Sequence, residues 1–390
     1  MPRVGSYVHA TVRDERVAAY LPPPLPPDPP LALSAADEDL QERANRALGR
    51  LDGIASILPD TALFLYAYVR KEAVLSSQIE GTQSTLTDLF LYENKETPGV
   101  PIDDVEEVST YVAAMHHGLR RLRGGFPLSL RLIREIHAIL LATGRGSGRA
   151  PGEFRRTQNW IGGTRPGNAA YVPPPPDRVM ECMGLLEKFL HDDPVRMPLL
   201  VKAALAHVQF ETVHPFLDGN GRVGRLLITL LLCAEGALSE PLLYLSLWFK
   251  RHRARYYELL QRVRLDGAWE EWVRFFLEGV LQTSEQATKA ARATIDLFKR
   301  DRDQIARLGR ASGSALRIHQ MLCERVIVSI PRAAKSLKLT KPTVAAAIEN
   351  LRRLGIVRET TGRKRGKLYV YRAYLDILDE GTEPIRARRV

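Results

Sequence analysis

The chain has 390 residues, 45% hydrophobic and 26% charged, with 7% aromatic. That is enough for a large core and a smaller one, and it excludes wholesale disorder. No stretch approaches the roughly 18 apolar residues of a membrane span; the best, Leu226 to Cys233, opens beside Arg222 and Arg225. The first five residues lack the apolar segment of a secretory signal. Cys182, Cys233 and Cys323 are far apart, without metal-like spacing, and read as buried thiols of a reducing compartment. The expectation is a cytoplasmic protein with no membrane partner. The net charge of +11 is localised: residues 1–300 carry 36 basic against 36 acidic side chains, and residues 301–390 carry 20 against 9. A polyanionic partner is therefore expected at the C-terminal end.

Residues 1–33 read as a proline-rich N-terminal arm, because seven prolines between Pro22 and Pro30 exclude helix. From 34 to 125 the pattern is helical, with Ser34 capping one run, Asp60 capping a second, and Gly81 stopping the second. Further helices are expected near 104–122, 129–142, 177–191, 196–211, 220–235, 250–264 and 268–298. Residues 158–172 break the helical text with turn formers between short β-prone runs and end in Pro173–Pro176. They read as a lone β-hairpin acting as a flap. Residues 299–312 are charged without an apolar face and are assigned as a linker. Residues 313–390 then give helix, helix, turn, helix and a basic hairpin, the order of a winged helix-turn-helix. Its recognition helix would be 342–351, and its wing would carry Arg363, Lys364, Arg365 and Lys367. DNA is the expected polyanion, although a winged helix also binds protein. The fold class expected is mainly α, with a β-hairpin flap and this appendage.

The chemistry concentrates in residues 214–225, His-Pro-Phe-Leu-Asp-Gly-Asn-Gly-Arg-Val-Gly-Arg, a polar loop between two apolar helices. Gly219, Asn220 and Gly221 sit where the second helix begins. Free N–H groups and the positive dipole end favour an anion there. Arg222 and Arg225 oppose that dipole, an arrangement that makes sense with several phosphate charges in front of them. Asp218 is a hard oxygen ligand suited to Mg²⁺ bridging phosphates, and His214 suits a general base. Phosphoryl or nucleotidyl transfer follows, without a Walker loop.

These residues match the signature His-x-Phe-x-(Asp/Glu)-Gly-Asn-Gly-Arg-x-x-Arg, and residues 60–280 resemble the Fic family, whose catalytic domain would span 126–298. The resemblance implies transfer of AMP from ATP to a Ser, Thr or Tyr hydroxyl of a protein, including self-modification. His214 would be the base and Asp218 the Mg²⁺ ligand. Gly219, Asn220 and Gly221 would form the anion hole, with Arg222 and Arg225 on phosphates. The flap would hold the target as an added strand beside 159–161. Tyr256 and Tyr257 fall where similar proteins keep aromatic residues near adenine, with ordinary helix packing as the open alternative. His207 reads as a core histidine. Similar proteins often form homodimers.

Residues 76–81, Ser-Ser-Gln-Ile-Glu-Gly, resemble the family's inhibitory motif, in which Ser76, Glu80 and Gly81 are the defined positions. A carboxylate at a helix C-terminus opposes the dipole and wants a cation; by resemblance Glu80 would take Arg225. Two further readings stand beside this one: a nucleotide-sensing DNA-binding regulator, and a Fic enzyme that removes AMP or transfers another phosphate-containing group.

Overall fold

The computed structural model describes residues 3–57, 61–94, 99–144, 146–363 and 366–384. Asp60, Lys364 and Arg365, named above, lie outside them. The chain is mainly helical: α1 Ala35–Ile57, α2 Thr61–Ile79, α3 Leu86–Glu93, α4 Ile102–Arg123, α5 Leu130–Leu140, α6 Pro176–Leu190, α7 Leu199–Val213, α8 Asn220–Ala234, α9 Ser246–Arg251, α10 Arg253–Asp266 and α11 Trp269–Ala306. After these come α12 Ser312–Arg325, β3 Ile327–Ser329, α13 Ile330–Leu337, α14 Lys341–Arg353, β4 Arg358–Glu359, β5 Leu368–Val370 and α15 Arg372–Asp379. Two N-terminal strands, β1 Ser6–Val12 and β2 Glu15–Leu21, form an antiparallel hairpin. No helix among the described residues is long and apolar enough to cross a membrane.

Helix α7 is buried along nearly its whole length, from Leu200 to Val213. It is buried on all sides and therefore central rather than amphipathic. Helix α8 packs against it, and the buried Trp272 of α11 ties in by donating its indole N–H to the Ala204 carbonyl at 2.8 Å. Helix α1 lies along α11, and α2 packs on α4 and α9. The local signals match the chain's punctuation. Ser34 Oγ accepts the Asp37 N–H while Asp37 returns the bond to Ser34 N, and Gly81 ends the α2 segment with φ +105°.

Two expectations need correction. The arm over 1–33 is not extended throughout: residues 6–21 are the β1–β2 hairpin, and only the prolines beyond it run as a strap. Nor is 299–312 a linker. Helix α11 continues to Ala306, with Ile305 and Asp301 buried, and Asp301 accepts the Tyr371 hydroxyl at 2.6 Å. The polar Asp301 occupies a seam position and so hides the apolar stripe in the sequence.

Residues 312–379 add four helices and a three-stranded sheet of order β3–β5–β4. Helices α12 and α15 both pack on α2 and α11.

Candidate active site

The site is built where α7 ends and α8 begins. His214 terminates α7 in the left-handed region, φ +49° and ψ +59°, donating its N–H to the Phe210 carbonyl at 2.9 Å. Arg155, 2% exposed, fixes this turn from outside. Its Nε donates to the His214 carbonyl at 2.9 Å, its Nη2 to the Pro174 carbonyl at 2.5 Å, and its backbone N–H to the Pro215 carbonyl at 2.9 Å. Burial, and then Arg264 and Arg155, hold the His214 imidazole down to about 3. The ring is neutral at physiological pH and able to accept a proton.

Phe216 anchors the loop in the core, stacked on His137 at 3.7 Å between ring centroids. The Asn220 side chain staples the turn, accepting the Phe216 N–H and donating to the Phe216 carbonyl, both at 2.8 Å. Its amide is thus committed internally, and only the backbone of Asn220 is available to a ligand. His137 accepts the Gly152 N–H at Nδ1 (2.8 Å), so Nε2 carries the proton donated to the Asp218 carbonyl at 3.0 Å. Gly219 supplies the positive φ, +75°, that starts α8.

The charged groups fall into two linked clusters. Asp218 Oδ1 accepts the Gly219 N–H at 2.6 Å and lies 3.5 Å from Arg222, which is also 3.2 Å from Glu107. Glu80, Gly219 and these three side chains line a cavity of about 150 Å³. Arg225, 2% exposed, donates from Nε to Ser76 Oγ at 2.9 Å, and from Nη2 to the Ser76 carbonyl at 3.1 Å and to Glu80 Oε1 at 2.6 Å. Burial works against the Glu80 charge, but Arg225 and then Arg222 outweigh it and hold the carboxyl below its ordinary range. The carboxylate rests on the first turn of α8: a Cβ on Gly221 would lie 2.3 Å from Glu80 Oε1. That is the anion position of a helix N-terminus.

A larger cavity of about 640 Å³ opens beside these groups, between residues 160–162 of the flap and α10. His214, Gly221, Arg225, Glu80, Tyr256 and Tyr257 all line it. Tyr256 is nevertheless mainly a packing residue. It is 1% exposed, and its hydroxyl donates to His207 Nε2 at 2.9 Å while His207 Nδ1 bonds the Gly224 carbonyl at 3.0 Å. His207 is the satisfied core histidine expected from sequence. Tyr257 is 42% exposed at the cavity mouth.

The flap is less regular than a hairpin. Ile161 and Tyr171 form one antiparallel bridge, and the tip is a 3₁₀ turn at Pro166–Asn168. It is held from outside by β2, whose Tyr20 N–H donates to the Val172 carbonyl at 2.9 Å, and from below by Tyr171, which donates to the Thr212 carbonyl at 2.6 Å. Arg155, Arg264 and Glu211 belong to the site and were not singled out from sequence. The only available signal was a charge inside an apolar helix, at Glu211. Among the described residues, no group of three or more His, Cys, Asp or Glu side chains could hold a metal by itself.

Residues 39–120 match the Fic/DOC family N-terminal domain and residues 127–232 the Fic/DOC family domain. The protein adenylyltransferase Fic of Aedes aegypti is 33% identical over 248 residues, 61% of this chain and 46% of its own length. That of Drosophila ananassae is 30% identical over 250 residues, 62% and 47%. The chain therefore spans about half the length of the curated relatives it matches. A Fic family protein from Desulfovibrio desulfuricans G20 shares the fold at a TM-score of 0.58 and 20% identity, over 88% of this chain and 97% of its own. Through the two matched stretches, which contain both Glu80 and the 214–225 loop, the chain belongs to the Fic/DOC family.

Proposed function

We propose that the protein is a self-inhibited adenylyltransferase that moves AMP from ATP to a Ser, Thr or Tyr hydroxyl of a protein. The observation that carries the proposal is the convergence of His214, the first turn of α8 and Arg225 on one cavity. In the reaction the hydroxyl loses its proton to the His214 imidazole, its oxygen bonds the α-phosphorus, and the bond to the β-phosphate breaks to release pyrophosphate. The α8 N–H groups and the two arginines would meet the phosphate charges, so catalysis rests on positioning and neutralisation. Asp218, a half-exposed carboxylate that shares its small cavity with Glu80 and Glu107 but belongs to no metal-holding group of three or more among the described residues, fits Mg²⁺ shared with phosphates rather than caged by protein. Bound there, Mg²⁺ would offset phosphate charge. The target would add as a strand along residues 159–161.

Self-inhibition is supported by the Glu80 carboxylate resting where a phosphate would sit and holding Arg225. Intact masses of wild type, Glu80→Gly and His214→Ala after incubation with Mg²⁺ and ATP test both parts. The expected result is added AMP on Glu80→Gly, little on wild type and none on His214→Ala. Equal AMP on wild type and Glu80→Gly would sink the inhibition, and AMP on His214→Ala would sink the base. Absence of AMP from every variant, with and without a cell extract as a source of targets, would favour the nucleotide-sensing alternative.

The C-terminal elements, helix, strand, two helices and two strands, support a winged helix over residues 312–371. Its helix α14 buries Val344, Ala347, Ile348 and Leu351 and exposes Lys341, Thr343 and Ala346, and Arg363 and Lys367 are exposed beyond it. With the local basic excess, this supports DNA as a partner. The test is salt-dependent DNA binding by the full chain; no affinity at low salt would count against it.

A further inference from the structure

Of the side chains lining the larger cavity, two present a buried polar atom with no hydrogen-bond partner: His214 Nδ1 and Glu211 Oε1. His214 has a role in the proposed reaction, and Glu211 has none. Leaving a buried acceptor unmatched is costly, so such a group in a native cavity calls for a partner that arrives with the ligand.

The geometry accommodates the Glu211 carboxyl by design. Glu211 is 7% exposed, in the last turn of α7, and faces α8 where residue 224 is glycine. A Cβ at Gly224 would lie 2.5 Å from Oε1. The other polar side chains at this end of the cavity are already engaged. Arg264 donates to Gln261 Oε1 at 3.2 Å, to Thr212 Oγ1 at 3.3 Å and to the Glu211 carbonyl at 3.4 Å, and its guanidinium stacks over Tyr171 at 3.8 Å. The rest of that wall is Tyr256, Tyr257 and Leu260, a surface suited to a flat, largely apolar group.

A carboxyl is a poor neighbour for phosphate, so the triphosphate belongs with the first turn of α8 and Arg225. The remaining part of a bound nucleotide then falls against Glu211. We infer that Glu211 is a specificity residue for the nucleoside half of the nucleotide, accepting a hydrogen bond from a sugar hydroxyl or from the exocyclic amine of the base. This rests on the nucleotide-binding part of the proposed function. Burial pushes the carboxyl up to about 7, against the pull of Arg225, as expected for a group whose partner is absent.

The test measures dissociation constants by calorimetry on the full chain carrying Glu80→Gly, for ATP, 2′-deoxy-ATP, 3′-deoxy-ATP and ITP. Glu211→Gln and Glu211→Met are compared in that background; both fill the same space, and Gln alone keeps an acceptor. Glu211→Met is expected to weaken ATP roughly ten- to hundredfold, the effect of losing a ligand hydrogen bond at a buried group. The analogue lacking the partner group should be weakened less than about threefold, and Glu211→Gln should stay within about threefold of the parent for ATP. An exempt ITP identifies the amine as the partner, and an exempt deoxynucleotide identifies the sugar. Equal losses for all four nucleotides, or no loss for any, would overturn the assignment while leaving the nucleotide site intact. Failure of the Glu80→Gly parent to bind any of them would overturn the nucleotide reading and this inference together.

Discussion

Arg225 and Glu80, 145 residues apart in sequence, meet at 2.6 Å, and the same guanidinium takes both the hydroxyl and the carbonyl of Ser76. The arginine is 2% exposed and the glutamate 37%, so the pair is anchored on the arginine side and open on the other. An ion pair of this kind can be broken by ligand competition without unfolding the helix that carries the carboxylate. Ser76→Ala removes one of the two Ser76 contacts and leaves the carbonyl in place. Its initial rate of AMP incorporation should rise about two- to fivefold over wild type, well below the rise in Glu80→Gly. A rate equal to wild type would mean that Ser76 does not help to hold Arg225 in the inhibited arrangement.

Arg155 should behave as a positioning residue for His214. It never reaches the cavity, yet its guanidinium accounts for the His214 and Pro174 carbonyls at once. Without it His214 has less to keep it in a left-handed conformation that non-glycine residues adopt at a cost. Arg155→Lys keeps the charge but cannot span both carbonyls. AMP transfer by the Glu80→Gly protein should fall about tenfold or more with Arg155→Lys, while its affinity for ATP stays within about twofold. Equal losses in rate and in affinity would show a general collapse of the site instead.

Much of the site was legible because its signals are local. The 214–225 loop carries its glycines, arginines and histidine in one stretch, and the structure brings those residues to α8 and its two cavities. The exception is Asn220, whose amide staples the loop. What escaped depends on contacts between distant segments. Arg155 and Arg264 enter only through tertiary packing. The β1–β2 hairpin turns on Arg13 and Asp14, both at positive φ, in a two-residue loop usually marked by Asn-Gly or Asp-Gly. With neither glycine nor asparagine there, nothing in the sequence announces the turn. The missed end of α11 has the same character, since buried Asp301 is a partner for Tyr371 and only looks like a break in the apolar stripe.

Acid should destabilise the protein. Burial holds the imidazoles of His137, His207, His214 and His319 down to about 4, 3, 3 and 4, and it pushes the carboxyls of Glu72 and Glu211 up to about 7. Depressed histidines contribute stability that is present above about pH 6.5 and lost as pH falls. Raised carboxyls work the other way, binding protons in the native state first. For these six groups, between about pH 6.5 and 4.5 the unfolded chain holds four extra protons and the native state two, a difference of two. Unfolding free energy should therefore fall by about 2.7 kcal/mol per pH unit on acidification. Glu211→Gln removes one native proton site and should raise that slope by about half, as read from urea midpoints at pH 6.5 and 5. A slope unchanged by Glu211→Gln would mean that Glu211 is ionised in the native state.

The segment that carries Glu80 is also tied to the end of the chain. Gln78 Nε2 donates to the Ser84 carbonyl at 2.7 Å and to the Thr382 carbonyl at 2.8 Å. Thr382 is 2% exposed, and Lys250 donates to the neighbouring Gly381 carbonyl at 3.0 Å. At Gly381, φ +83°, a Cβ would come within 2.6 Å of Leu247, so the tail is pressed onto α9 as well as the Gln78 turn. Deleting residues 380–390 takes away one of the two Gln78 acceptors and uncovers Leu247. The 76–84 segment should then exchange its amides faster, and Glu80 should hold Arg225 less well. In the otherwise wild-type chain the deletion should raise AMP transfer about two- to tenfold. In the Glu80→Gly chain the same deletion should add nothing, because the group it releases is already gone. Equal gains in both backgrounds would show that the tail acts on the active site by another route, and no gain in either would show that Gln78 needs only Ser84 to keep Glu80 in place.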